Sequence, residues 1–202
     1  MHDVGIYENL ILGIHFLLLK KCKIFDEKTI VTCYTGRSMR IKVRKHERRG
    51  YQSIKMSNIL EKQFLKQRND FQKSCVERDK KYHFPQGVIF ETDIAYAKDK
   101  NKAHRLDRYR PKGKETQILP VIINVHGGGL LLGNKEFNKY FCALLSKKGF
   151  LVYSMEYRLI PDCTFFDQLR DIFLAMDFVK EHAAADGGDL SHVYLVGDSG
   201  GA

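Results

Sequence analysis

Gly197, Asp198, Ser199, Gly200 and Gly201 follow the apolar run Val193-Tyr194-Leu195-Val196, and the serine stands in a G-x-S-x-G frame. Straight after a strand, this spacing makes a tight turn that holds a serine Oγ clear of the backbone, free to attack an acyl carbon. The turn is crowded, and glycines at 197 and 201 remove the Cβ atoms that would clash. The N–H that follows the serine, that of Gly200, points to where negative charge develops on the acyl oxygen. Asp198 suits the electropositive start of a helix as a structural support. A serine capping a helix N-terminus would leave the same mark on a sequence. With glycine near 7% of residues, chance supplies a G-x-S-x-G in roughly one chain of this length in fifteen.

A second pattern is far less common. His126-Gly127-Gly128-Gly129 follows Leu119-Pro120-Val121-Ile122-Ile123-Asn124-Val125, a nearly continuous apolar strand. Chance places an HGGG in on the order of one such chain in a thousand. After a strand, these glycines offer further backbone N–H groups to an oxyanion. A third run, Tyr157-Arg158-Leu159-Ile160-Pro161, follows the next apolar stretch.

Strand–HGGG, strand–YRLIP and strand–GDSGG, in this order, resemble the α/β-hydrolase superfamily, specifically the hormone-sensitive-lipase-like esterases with HGGG and GDSAGG-type motifs. The likeness covers residues 85–202, with Gly200 where that family usually has alanine. It implies Ser199 as nucleophile and Gly127, Gly128 and Gly200 as oxyanion-hole donors. His126 then orients the glycine loop, and Gly129, Gly197, Gly201 and Asp198 support the site. It implies no cofactor and no metal, and a small-molecule ester as substrate. In that fold the triad acid and histidine follow the serine. The chain is therefore expected to be an incomplete, inactive fragment, truncated after the nucleophile elbow at Ala202. An amidase or peptidase of the same fold, or a non-catalytic binding module built on it, would carry the same motifs. GDSGG also occurs in trypsin-like proteases. Those have the histidine upstream and a proline after the second glycine, where this chain has Ala202, and no alanine-alanine-His-Cys stretch appears.

The elements that must position these motifs read as an α/β chain with a mainly parallel sheet flanked by helices. Strands are expected at 88–97, with alternation at Val88, Phe90, Thr92, Ile94 and Tyr96, at 106–111, at Leu119–Val125, at 150–155 and at 192–196. One helix is expected over 137–148, with Phe141, Leu144 and Leu145 inward. Another spans 165–182, with Leu169, Ile172, Phe173, Met176 and Val179 inward and Asp162, Asp167 and Asp171 in solvent or capping its start. Residues 83–202 form the N-terminal part of the catalytic domain. Residues 1–82 form a basic, partly helical extension or cap segment.

Composition places limits around this reading. Of 34 Lys+Arg and 24 Asp+Glu, residues 1–80 hold 18 and 9, so the net charge of +10 sits almost wholly in the extension. The run 37–49 has seven basic residues but no interleaved aromatics, which weighs against a nucleic-acid partner. A helix-like stripe over 52–82 carries Met56, Ile59, Leu60, Gln63, Phe64, Gln67, Phe71 and Cys75. The apolar stretch 10–19 is too short to span a bilayer, and its lysines follow it rather than precede it. Five irregularly spaced cysteines argue against a disulfide framework and fit a cytoplasmic location.

Overall fold

A computed structural model describes residues 58–202. The segments 10–19, 29–34 and 37–49 singled out above lie outside the described residues. Five strands form one sheet in the order β1-β2-β4-β3-β5: β1 Val88–Ala95, β2 Arg105–Pro111, β3 Leu119–Val125, β4 Leu151–Met155 and β5 Gly188–Gly197. The sheet is mixed. The β1–β2 and β2–β4 pairs are antiparallel, and β3 pairs in parallel with both β4 and β5.

Alternation along β3 and β4 builds two cores. Val121, Ile123 and Val125 of β3 and Leu151, Tyr153 and Met155 of β4 face α3 (Phe165–His182), which contributes Ala175, Met176 and Val179. Ile122 and Val152 point the other way, toward Cys142 and Ala143 of α2 (Lys139–Lys147). Burial on both faces is why these strands read as unbroken apolar runs. Each fully buried aliphatic side chain contributes about 1.5–3 kcal/mol, so β3 and β4 anchor the domain. β1 does not, since most of its residues are exposed.

Four expectations are corrected by packing. The alternation over 88–97 breaks at a register shift between Glu91 and Ile94, where Asp93 takes a left-handed φ of 61° and donates its N–H to Asp107. Phe90 and Thr92 are exposed on this edge strand. The second helix starts with a 3-10 turn, Lys135–Asn138, and its buried residues are the small Cys142, Ala143 and Ser146 rather than Phe141 and Leu144. Small residues let that helix lie close against the sheet. The inner face of α3 uses Gln168, Asp171 and Ala175 beside Met176 and Val179, whereas Phe173 is exposed.

Asp171 is the largest departure. Far from facing solvent, it is 0% exposed and grips Arg158 through Nε at 2.9 Å and Nη2 at 2.7 Å, while also accepting from the Arg158 backbone N–H. Asp167 forms a capping box with Thr164 at the start of α3. Asp162 is exposed and paired with Arg68.

The N-terminal helix α1, Asn58–Asp79, buries little apolar surface. Cys75 is buried and Phe64 and Phe71 are half-buried, but Ile59 and Leu60 remain exposed. It docks through polar contacts with the segment that follows the glycine loop: Asn134 to Gln72, Arg78 to the Phe137 carbonyl, and Lys139 to Asp79. No described helix is long and apolar enough to cross a membrane.

Breaking a buried charge pair by removing one partner costs about 3 kcal/mol or more. Asp171→Ala is therefore expected to lower stability by about 3 kcal/mol, the low end, because Arg158 keeps some contact with solvent. Urea-induced unfolding measures this, and an unchanged midpoint would show that Arg158 is satisfied without Asp171.

Candidate active site

Parallel pairing of β3 with β5 sets Val125 opposite Gly197, so the segments that leave the two strands emerge side by side. Val125 is also paired with Met155 of β4. Three neighbouring carboxyl ends thus deliver His126–Gly129, Glu156–Arg158 and Asp198–Gly201 to one place. This is where ligand sites of α/β sheets form.

Ser199 holds a left-handed φ of 49°, unusual for a residue with a side chain, in a single 3-10 turn over Ser199–Gly201. The turn packs backbone against backbone. A methyl at Gly197 would run into the Gly201 carbonyl, and one at Gly201 into the carbonyls of Val125 and His126. The Ser199 side chain is left exposed. Among the described residues its hydroxyl has no hydrogen-bond partner.

The glycine loop is held from below. His126 is fully buried, with Nε2 at 3.0 Å from Glu156 Oε1 and Nδ1 at 2.9 Å from the Gly127 carbonyl. Its ring stacks on Tyr157, centroids 4.3 Å apart, and the Tyr157 hydroxyl donates to the His126 carbonyl at 2.7 Å. Glu156 also accepts from the Lys135 N–H, which closes the far end of the loop. Burial pushes the Tyr157 phenol well above its ordinary range, so it stays a donor.

Two sequence assignments change. Gly127 donates its N–H to Asp198 Oδ1 at 3.0 Å and is withdrawn as an oxyanion donor. A Cβ at Gly127 would meet that same carboxylate, which is why the position is glycine. Asp198 also accepts from Asn138 at 2.7 Å, so it is a brace between the two loops rather than a charge placed for a helix dipole. Among the described residues, the N–H groups of Gly128, Gly129 and Gly200 have no internal acceptor. Gly200 abuts this group: a Cβ built on it would lie 3.0 Å from Gly129 N. Tyr157, expected to pack and hydrogen-bond below the site, does so, whereas Glu156 and Asn138 are parts of the site that motif reading missed. For Glu156 the available signal was its position straight after β4, whereas Asn138 lies at the end of the 3-10 turn that leads into α2.

Apart from His83, the described histidines are committed elsewhere. His104 lies between Asp99 and Asp171, His182 stacks on Phe178, His192 pairs with Asp189, and His83 is exposed. His126 has both ring nitrogens against oxygens. None is bonded to Ser199, and His2, His15 and His46 lie outside the described residues. Among the described residues burial weakens every cysteine as a nucleophile: it raises the Cys75 thiol and pushes the Cys142 thiol up to about 12 and the Cys163 thiol up to about 11. Among the described residues no cluster of His, Cys, Asp or Glu could hold a metal ion. A hollow lined by Ile89, Arg108, Arg110 and Asp186 lies at the opposite, amino ends of the parallel strands. There Arg108 is spent on Glu91 and Asp186, and Arg110 on backbone carbonyls.

Residues 106–202 match the BD-FAE family. The chain is 36% identical over 99 residues to a probable isoprenylcysteine alpha-carbonyl methylesterase of Oryza sativa subsp. japonica, covering 49% of this chain and 23% of that protein. It is 33% identical over 94 residues to tuliposide A-converting enzyme 2 of Tulipa gesneriana, covering 41% of this chain and 25% of that one. Among solved structures, esterase B from Lactobacillus rhamnosis with a tributyrin phosphonate superimposes with a TM-score of 0.69 at 28% identity, over 72% of this chain and 47% of that one. The chain spans about a quarter of the length of these curated relatives and about half of that solved esterase.

Asp198→Ala would strand the buried Gly127 N–H. A buried donor left without a partner costs about 1–3 kcal/mol. The variant is expected to lose that much in urea unfolding, and Asp198→Asn, which keeps an acceptor oxygen, to lose less. Equal losses would mean that the carboxylate charge matters rather than the hydrogen bond.

Proposed function

We propose that this chain, which belongs to the α/β-hydrolase esterases, carries the nucleophile and the oxyanion donors of a serine hydrolase that cleaves carboxylic esters through an acyl-serine intermediate. The observation that carries this reading is the meeting, at the ends of paired strands β3 and β5, of a strained and exposed Ser199 with the uncommitted N–H groups of Gly128, Gly129 and Gly200. The named activities of the relatives, a methylesterase and esterase B among them, support the ester as substrate class.

The chemistry follows from the placement. Ser199 Oγ attacks the ester carbonyl, and its proton leaves to a general base. The carbonyl oxygen gains negative charge in front of the three N–H groups, which strengthen their hold as that charge grows. The tetrahedral adduct then expels the alcohol and leaves an acyl-serine, which water hydrolyses by the same route. His126 is not the base, because its ring is engaged at both nitrogens under the loop. A histidine oriented by a carboxylate, supplied from outside the described residues, fills that role in this reading. The glycine loop excludes side chains from the oxyanion position, so an unhindered ester carbonyl can reach it.

The test is turnover of p-nitrophenyl acetate by the whole protein that contains these residues. Ser199→Ala is expected to lower kcat by about a million-fold, to background. Turnover that survives the substitution removes Ser199 from the mechanism. Absence of Ser199-dependent turnover in the parent protein would favour a binding module on a hydrolase fold.

A further inference from the structure

The glycine loop is braced from below and from the side, and one brace comes from outside the hydrolase core. Arg68, on the N-terminal helix α1, has a side chain only 18% exposed. Its guanidinium reaches two separate loops at once. Nε donates to the Leu131 carbonyl at 2.9 Å, Nη2 to the Ile160 carbonyl at 2.5 Å, and Nη1 to Asp162 Oδ2 at 2.7 Å.

Leu131 belongs to the turn that carries the candidate donors. The N–H groups of Leu131 and Leu132 both close on the Gly128 carbonyl, at 3.2 and 2.9 Å. Between them and the glycines sits Leu130, a side-chain-bearing residue in the left-handed region at φ 68°. Backbone in that region persists only where its surroundings hold it. Here the holding is visible. The Leu130 carbonyl accepts from the Ile160 N–H at 3.0 Å and from Gln168 at 2.9 Å, and Arg68 takes the next carbonyl. Ile160 is thus bonded to the glycine-loop turn through its own N–H and to Arg68 through its carbonyl. The guanidinium closes a ring of backbone contacts between residues 128–131 and 160–162.

We infer that Arg68 is a positioning residue: through it, α1 fixes the turn that aims the Gly128 and Gly129 N–H groups at the reacting carbonyl. This rests on the reading of that loop as the oxyanion loop. Donor placement matters steeply, since a 1 Å displacement can cost about a hundredfold in rate. A lysine would keep the charge but not the planar fork, and could not bridge both loops. The rest of α1 docks on residues further along, at Asn134, Phe137 and Lys139. Of these hydrogen bonds from α1, those of Arg68 reach the turn itself.

The experiment uses the whole protein and measures kcat and KM for p-nitrophenyl acetate, together with thermal unfolding. Arg68→Ala is expected to lower kcat about 10- to 100-fold with KM within about twofold, and added guanidinium ion is expected to restore part of the loss. Arg68→Lys, the milder change that tests the idea even where the alanine variant folds poorly, is expected to lose kcat without guanidinium rescue. An unchanged kcat in either variant overturns the inference, as does a rise in KM alone. A kcat loss that follows the unfolded fraction and resists rescue also overturns it. Ser199→Ala is measured beside them. Full turnover in that variant would sink the serine reading itself, whereas Ser199-dependent turnover with a neutral Arg68→Ala would sink only the role given to Arg68.

Discussion

Backbone-to-backbone contact between the ends of β3 and β5 is the constraint from which the rest of the site follows. Val125 and Gly197 are partners in a parallel ladder, and the segments beyond them lie against each other with no room for side chains between. Gly127, Gly197 and Gly201 are each pressed against an opposing carbonyl or carboxylate. The contact is sealed by one charge-assisted hydrogen bond, from the Gly127 N–H to Asp198. It fixes the serine turn relative to the glycine loop, and hence the Ser199 hydroxyl relative to the free N–H groups of that loop. A single methyl at Gly127 or Gly201 would separate the two, and one at Gly197 would force open the serine turn itself.

The polar groups beneath that contact form a connected scaffold. Glu156 ties His126 to the Lys135 backbone, Asn124 donates to Ser154, and Ser154 donates to the Lys135 carbonyl. Lys135 itself is buried against Asp107, whose carboxyl burial pushes upward despite that ion pair. Buried polar groups are costly unless partnered, and this network, in which Asn124 Oδ1 alone is left without a hydrogen bond, defines one arrangement more sharply than apolar packing does. The two apolar cores hold the sheet together, while this network determines where its carboxyl-end loops sit.

The same division explains what the sequence disclosed. β3 and α3 were legible to their end residues: the first is a strand buried on both faces, the second opens with Thr164 and Asp167 in a capping box. The motifs at 126–129 and 197–201 were legible because crowding dictates glycine and leaves a mark. What was hidden depended on tertiary partners. Asp171 reads as a solvent residue until Arg158 is folded onto it from 13 positions away. The inner face of α2 is made largely of small residues, so hydrophobicity found Leu145, which packs on the core, but also pointed to Phe141 and Leu144 and passed over Cys142, Ala143 and Ser146. Gly127 and Gly128 look alike in a run of three glycines, and only the register of β3 against β5 shows that the first one is occupied by Asp198.

α1 occupies the remaining side of this arrangement, and its chemistry sets its influence on the site. A helix docked by a broad apolar face is stabilised by area, and its exact placement tolerates small shifts. α1 leaves Ile59 and Leu60 exposed and buries few apolar side chains. Beside one ring contact, Phe71 on Phe137, its docking uses directional contacts at Arg68, Gln72, Arg78 and Asp79. Hydrogen bonds weaken steeply with misalignment, so such a helix transmits its position to what it touches. What it touches is the segment from Leu131 to Tyr140, the continuation of the glycine loop, and through Arg68 the loop 160–162 beside it. The geometry of the loop is therefore shared between the strand register beneath it and a helix that the sequence offered only as part of an extension or cap segment.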